Sequence, residues 1–147
     1  MVILNIIEAN LSTRILNIDS FSLMQIISVS FLAILFLQSG LDKVFDWKGN
    51  LEWMKAHFSE SILKEVVPLL LATVTLVEVS AGIFSTVGVV NILVGKGDYV
   101  AFVGTLLSSM ALLMLFFGQR IAKDYAGAGG LVPYFILTLV TLYILLH

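Results

Sequence analysis

Four stretches of the 147-residue chain, 21–41, 66–94, 99–119 and 125–146, carry at most one charge over about 20 or more residues. At 1.5 Å of helical rise per residue, each matches a hydrocarbon core about 30 Å thick. Backbone amides have no water to bond in that environment, so each stretch must be helical. With 59% hydrophobic and only 12% charged residues, the composition agrees. An all-α integral membrane protein is the expected class, and short connections between the later spans make neighbours antiparallel, giving an up-down four-helix bundle.

Two segments lie outside the spans. Residues 1–20 place Ile3, Leu4, Ile7, Leu11, Ile15 and Ile18 at three-to-four spacing with Asn5, Glu8, Asn10, Arg14 and Asn17 between them, which predicts an amphipathic helix lying on the membrane surface. No basic start or small-residue cleavage site marks that segment as a signal peptide. The second unit, 21–147, is the four-helix transmembrane domain. Its long connection, 42–65, holds half of the chain's charged side chains. There Trp47, Leu51, Met54 and Phe58 form one face of a short helix, with Lys48, Glu52, Lys55 and Glu60 off it. Trp47 and Trp53 suit an interfacial anchor held flat against the bilayer, with a lid over an interhelical cavity as the alternative. The Ala126–Gly130 run reads as a flexible or closely packed part of the connection between spans three and four. Pro68 and Pro133 are expected near helix starts.

Lysines and arginines near the span ends set the orientation. Lys43, Lys48, Lys55, Lys64, Arg120 and Lys123 flank the face holding loops 1-2 and 3-4, whereas Arg14 and Lys96 flank the other. Positive charge favours the cytoplasm, so those two loops are expected inside.

Several chemistries are excluded. Without cysteine the chain has no disulfide, thiolate metal site or thiol redox centre, unlike the vitamin K epoxide reductase type of four-helix enzyme. His57 and His147 sit in a loop and at the last position and are expected to be solvated, so neither haem nor another metal is expected. No phosphate loop or nucleophile-histidine-acid set can be assembled. The formal charge of −2 comes with no polybasic patch, so nucleic acid is not a partner. The remaining partners are membrane lipid and other integral membrane subunits.

One group stands out within the spans. Glu78 is the only ionisable residue of the 66–94 stretch, and a carboxylate at membrane depth costs about 2.5–3.5 kcal/mol even on insertion scales. Thr75, Glu78, Gly82 and Ser85 share one helical face, which should pack inward. Desolvation favours a neutral carboxyl group, so a protonated structural contact is the plain expectation. The catalytic alternative makes Glu78 a proton acceptor beside Gln38 or Lys43. Glu78 lies about 15 Å along its helix from Pro68, whereas Lys43 lies at or past the end of its own, so Gln38 is the expected neighbour. Gly40, Gly104 and Ser108, the latter two in a small-residue stripe with Ala111, complete the expected packing positions. Asp42, Lys43, Arg120 and Asp124 form an expected charge cluster at one boundary, readable also as snorkelling end caps.

The stretch Phe36-Leu37-Gln38-Ser39-Gly40-Leu41-Asp42-Lys43-Val44-Phe45-Asp46 resembles the end of the first helix in the DoxX family of small bacterial membrane proteins. Leu76-Val77-Glu78-Val79-Ser80-Ala81-Gly82 is similar to that family's second helix. The resemblance extends from about Phe21 onward and leaves out the N-terminal helix and the tryptophan-containing loop. It implies a four-helix protein of the bacterial inner membrane, with Gly40, Lys43, Glu78 and Gly82 as characteristic positions. The lack of redox ligands, the small size and the small-residue faces make a non-catalytic accessory subunit of a larger membrane complex, without a cofactor, the expected function, with a quinone-linked oxidoreductase subunit as the alternative. A small-solute carrier is a weaker third reading, since no broken helix interrupts a span.

Overall fold

The computed structural model describes residues 1–12 and 18–147, with the side chains of 10–12 outside that description. Among the described residues every regular element is helical. The six α-helices are α1 (Val2–Ser12), α2 (Ser20–Phe45), α3 (Trp47–His57), α4 (Val67–Leu93), α5 (Tyr99–Ile121) and α6 (Tyr125–Leu146), with one 3-10 turn at Lys64–Val66. Four of them, α2, α4 with its 3-10 turn, α5 and α6, are long and apolar enough to cross a membrane. The Arg14, Ile15 and Asn17 part of the expected N-terminal stripe lies outside the described residues. The apolar side chains of α1 from Val2 to Ile7 are more than half exposed.

Local chemistry explains where the helices begin and end. Asp19 caps α2 by accepting a hydrogen bond from the Ser22 amide at 3.1 Å. Asp46 closes α2, its N–H donating to Asp42 O, and also opens α3 by accepting from the Gly49 amide at 3.1 Å. A Cβ at Gly49 would lie 2.4 Å from that carboxylate, so a larger residue there would displace the capping side chain. Gly95 and Gly97 take positive φ angles of 72° and 94° in the turn between α4 and α5. The Ala126–Gly130 run is not a loop: it forms the first turns of α6, capped by Asp124, which accepts from the Gly127 amide at 2.8 Å. Pro133 is likewise inside α6 rather than at its start. Its ring falls toward the carbonyl of Gly129, and that glycine has nothing within 4 Å of a Cβ to crowd it.

Glycines set how closely the helices approach. A Cβ at Gly40 would lie 2.7 Å from Val79 Cγ2, and one at Gly82 would lie 2.7 Å from the Leu37 amide nitrogen. Residue numbers thus run in opposite directions across the α2–α4 contact. On the next face of α4, a Cβ at Gly88 would lie 2.4 Å from Ala101 Cα, and one at Gly104 would lie 2.5 Å from the Ser85 amide nitrogen. These are small-residue crossings in which close backbones replace side-chain interdigitation. Helix α4 is the central element, clasped by α2 and α5. Leu112 packs against Leu131 and Phe135 of α6, and Phe31 of α2 stacks on Tyr134 of α6 at 6.2 Å, closing the four-helix ring.

At one end of the ring a polar clamp crosses three helices. Gln25 Nε2 donates to Asp98 Oδ2 at 3.1 Å and to Ile144 O at 3.4 Å. Gln25 is buried. It went unmarked in the sequence, although as a polar residue four positions before buried Val29 it sits on the inward stripe of α2.

Candidate functional site

The opposite end is not closed in the same way. The Gly40–Val79 and Leu37–Gly82 contacts set a register that brings the end of α2 opposite Val74, roughly two turns inside the start of α4. Helix α5, by contrast, runs on beside those turns. The shortfall of α2 leaves a notch, and α3 roofs it.

Beneath that roof lies a cavity of about 380 Å³, within the size range of small-molecule sites. Leu70 and Val74 of α4, Met114, Leu115 and Gly118 of α5, and Met54 and Phe58 of the roof supply apolar walls. Ser39, Lys43 and Glu78 line it from the α2–α4 contact, and Asn50, Trp53, His57 and Gln119 from the roof side.

Glu78 is completely buried. Lys43 Nζ lies 2.8 Å from its Oε2, and Ser39 Oγ donates to its Oε1 at 3.0 Å. The same ammonium donates to Ser39 Oγ at 2.9 Å and to Ser39 O at 3.2 Å. Ser39 is therefore both the perch of the lysine and the bridge to the carboxylate. The geometry is that of an ion pair between the Lys43 and Glu78 side chains, bridged by Ser39. A buried pair is not a net stabiliser by default, because desolvating two ions costs about as much as their attraction returns.

Gln38 is not the neighbour of Glu78. It is exposed on the outer surface of α2. The physical reason is twofold: α2 continues to Phe45 instead of ending near Leu41, and the register sets its last turns beside Glu78 rather than beyond it. The signal was present in the sequence, since buried Phe36 leads by three- and four-residue steps to Ser39, Gly40 and Lys43 and never to Gln38.

Thr75, Gly82, Ser85, Gly104 and Ser108 are all buried. Ser108 donates to Gly104 O at 2.8 Å and Thr75 to Leu71 O at 2.7 Å. Ser85 Oγ has no hydrogen-bond partner and lies 2.7 Å from where a Cβ on Gly104 would sit, so it is part of the α4–α5 seam.

The expected boundary charge cluster does not assemble. Lys43 turns inward, Asp42 is exposed, and Arg120 lies outside over the Tyr125 ring at 4.6 Å. Asp124 is engaged as the α6 cap and stands 3.8 Å from His57 Nε2. His57 is not simply solvated. Its Nε2 is 2.7 Å from Gln119 Oε1, and its ring stacks on Trp53 at 4.6 Å and meets Phe58 edge-on at 5.2 Å. Phe58 is buried, with its ring 3.4 Å from where a Cβ on Gly118 would sit. The face holding Leu51, Met54 and Phe58 turns inward while Lys48, Glu52, Lys55 and Glu60 are exposed. Helix α3 thus follows the expected periodicity, but its inward face covers a cavity, the reading ranked second from sequence. Among the described residues no cluster suits a metal ion.

The fold and site define a helical protein with four apolar helices of membrane-spanning length, enclosing a small amphipathic cavity near one end. Comparison of the chain with protein-family models, curated proteins and solved structures found no match.

Proposed function

We propose that this protein holds the head group of a membrane-soluble amphiphile in the cavity under α3, as a quinone-linked subunit in a bacterial inner membrane. The observation that carries the reading is a partly open, largely apolar cavity that meets a fully buried carboxylate, Glu78, bound by Lys43 and Ser39. A ring of the quinone type fits such a place, because its faces suit Leu70, Val74 and Met114 while its oxygen substituents need polar partners. When bound, such a group would supply redox chemistry that the chain's own side chains lack. Glu78 is the proton acceptor of this reading, and Lys43 the group that holds its charge. Gln38, outside the cavity, has no part in it. The DoxX-like motifs support the same reading, since Gly40 and Gly82 bring α2 and α4 close enough for Lys43 to reach Glu78. The lysine and arginine bias supports placing the α3 side of the bundle in the cytoplasm, and the exposed apolar side chains of α1 suit an interfacial helix.

The test is saturable binding of a short-chain ubiquinol analogue, kept reduced, in lipid nanodiscs, read by quenching of Trp53 in a Trp47→Phe background. Saturation that is lost when Val74→Phe narrows the cavity supports the reading. Quenching that rises linearly with membrane concentration in both proteins rejects it. In membranes, quinol-dependent electron transfer unchanged by Glu78→Gln would remove the proton-acceptor role.

A second reading, the non-catalytic accessory subunit of a larger membrane complex, is favoured by one feature of α6. Ala126, Gly129, Gly130 and Pro133 are exposed together on its outer surface, and nothing lies within 4 Å of a Cβ built at Gly129 or Gly130. Such a strip suits a close helix contact with another subunit. Purification in mild detergent followed by mass spectrometry tests this: a stoichiometric membrane partner supports it, and a solitary chain counts against it.

A further inference from the structure

The polar end of the cavity is unevenly equipped. The directional hydrogen bonds of the Lys43 ammonium go to the backbone oxygen and hydroxyl of Ser39. Ser39 Oγ, which accepts one of these, gives its own hydrogen to Glu78 Oε1. Glu78 Oε2 is fully buried and lies 2.8 Å from the Lys43 ammonium, with no other hydrogen-bond partner. The remaining ammonium hydrogen has this carboxylate as its nearest acceptor. A carboxylate has room for about four hydrogen bonds. Within the Lys43–Ser39–Glu78 cluster the donor hydrogens are thus committed while the carboxylate keeps acceptor capacity, beside apolar walls from Val74 and Met114.

We propose that the cavity selects an apolar amphiphile whose head donates a hydrogen bond, an alcohol or a phenol, and that Glu78 Oε2 is the acceptor. The inference rests on the reading of the cavity as a ligand site and adds a rule for which head it takes. A donor head completes the coordination of Oε2 without disturbing the Lys43–Ser39–Glu78 arrangement. A head that can only accept would have to draw Lys43 away from its present partners and leave Glu78 more exposed to an unpaired charge. An ether or a carbonyl compound of equal size is therefore the disfavoured ligand, although its apolar contacts are the same.

The discriminating probes are 4-heptylphenol and its methyl ether, 4-heptylanisole, which differ at the single hydrogen in question. Binding is read by Trp53 fluorescence in the Trp47→Phe protein in nanodiscs, with each probe referred to its measured concentration in the bilayer. The expected result is saturable binding of the phenol about 10- to 100-fold tighter than the ether, the range of one hydrogen bond to a charged acceptor. In Glu78→Met the phenol should fall to the level of the ether while the ether itself is held as before. Should that variant fail to fold, the wild-type ratio alone decides. Equal saturable binding of both probes overturns the donor rule and leaves the cavity reading standing. Absence of saturable binding for either overturns both.

Discussion

Replacing Lys43 with methionine removes the cation paired with a carboxylate that has no solvent exposure, whereas replacing Glu78 leaves an ammonium whose side chain is 16% exposed and bonded twice to Ser39. The two single substitutions should therefore differ. Breaking a buried pair from one side costs about 3–5 kcal/mol, because the surviving charge is stranded. Lys43→Met belongs at the top of that range. Glu78→Met should cost less, since the freed lysine can extend its ammonium toward the boundary. The double variant Lys43→Met/Glu78→Met replaces both ions with side chains of similar volume and strands nothing, so it should be more stable than Lys43→Met alone. The coupling between the two positions should then reach about 1–3 kcal/mol. The assay is reversible unfolding in mixed micelles, followed by helical circular dichroism over a denaturing-detergent titration for all four proteins. Additive losses, with the double variant the least stable of the set, would refute the argument that each residue is kept in the wall by the other.

Three further outcomes follow from the packing and caps. Gly88→Val drives a side chain into the Ala101 backbone, which a Cβ would already approach to 2.4 Å, and should cost about 1–3 kcal/mol or more; Gly130→Ala, with open space, should stay within about 1 kcal/mol and lean to stabilising in the same unfolding assay. His57→Phe keeps the stack on Trp53 but loses the contact with Gln119, so amide exchange over Trp47–His57 should quicken while that of α5 stays unchanged; equal protection in both proteins would show that His57 does not hold the roof. Asp19 is held below its ordinary 3.8 by its hydrogen bonds with Ser22, first through the side chain and then through the backbone. Its cap therefore contributes above 3.8 and is lost as pH falls through the lower folded value; NMR titration should place the Asp19 carboxyl below 3.8, and a midpoint at or above it would contradict the cap.

Sequence and structure agree where a single helix decides the outcome. The four spans, the inward face holding Thr75, Glu78, Gly82 and Ser85, and the inward stripe of α3 all follow from hydropathy and a 3.6-residue period. They part where the relation between helices decides. Whether Glu78 meets Gln38 or Lys43 depends on the α2–α4 register, which is set by Gly40 against Val79 and Gly82 against Leu37 and cannot be read from either helix alone. The cavity depends on α2 stopping opposite Val74, where Asp46 closes α2 and caps α3 at once, a double role that hydropathy does not mark. His57 owes its partners to Gln119 and Asp124, about 60 residues away in sequence. The Ala126–Gly130 run looked like a loop by its glycines, yet the Asp124 cap starts a helix there.

The contact between Lys43 and Glu78 carries the whole account, and solid-state NMR in lipid bilayers measures it directly. Dephasing between lysine 15Nζ and glutamate 13Cδ reports their separation without any functional assay. A strong coupling, as the 2.8 Å N–O distance requires, should be present in the wild type and vanish in Lys43→Met. No lysine–glutamate coupling removed by that substitution would mean that Lys43 points elsewhere, and both the charged wall of the cavity and the donor rule built on it would fall.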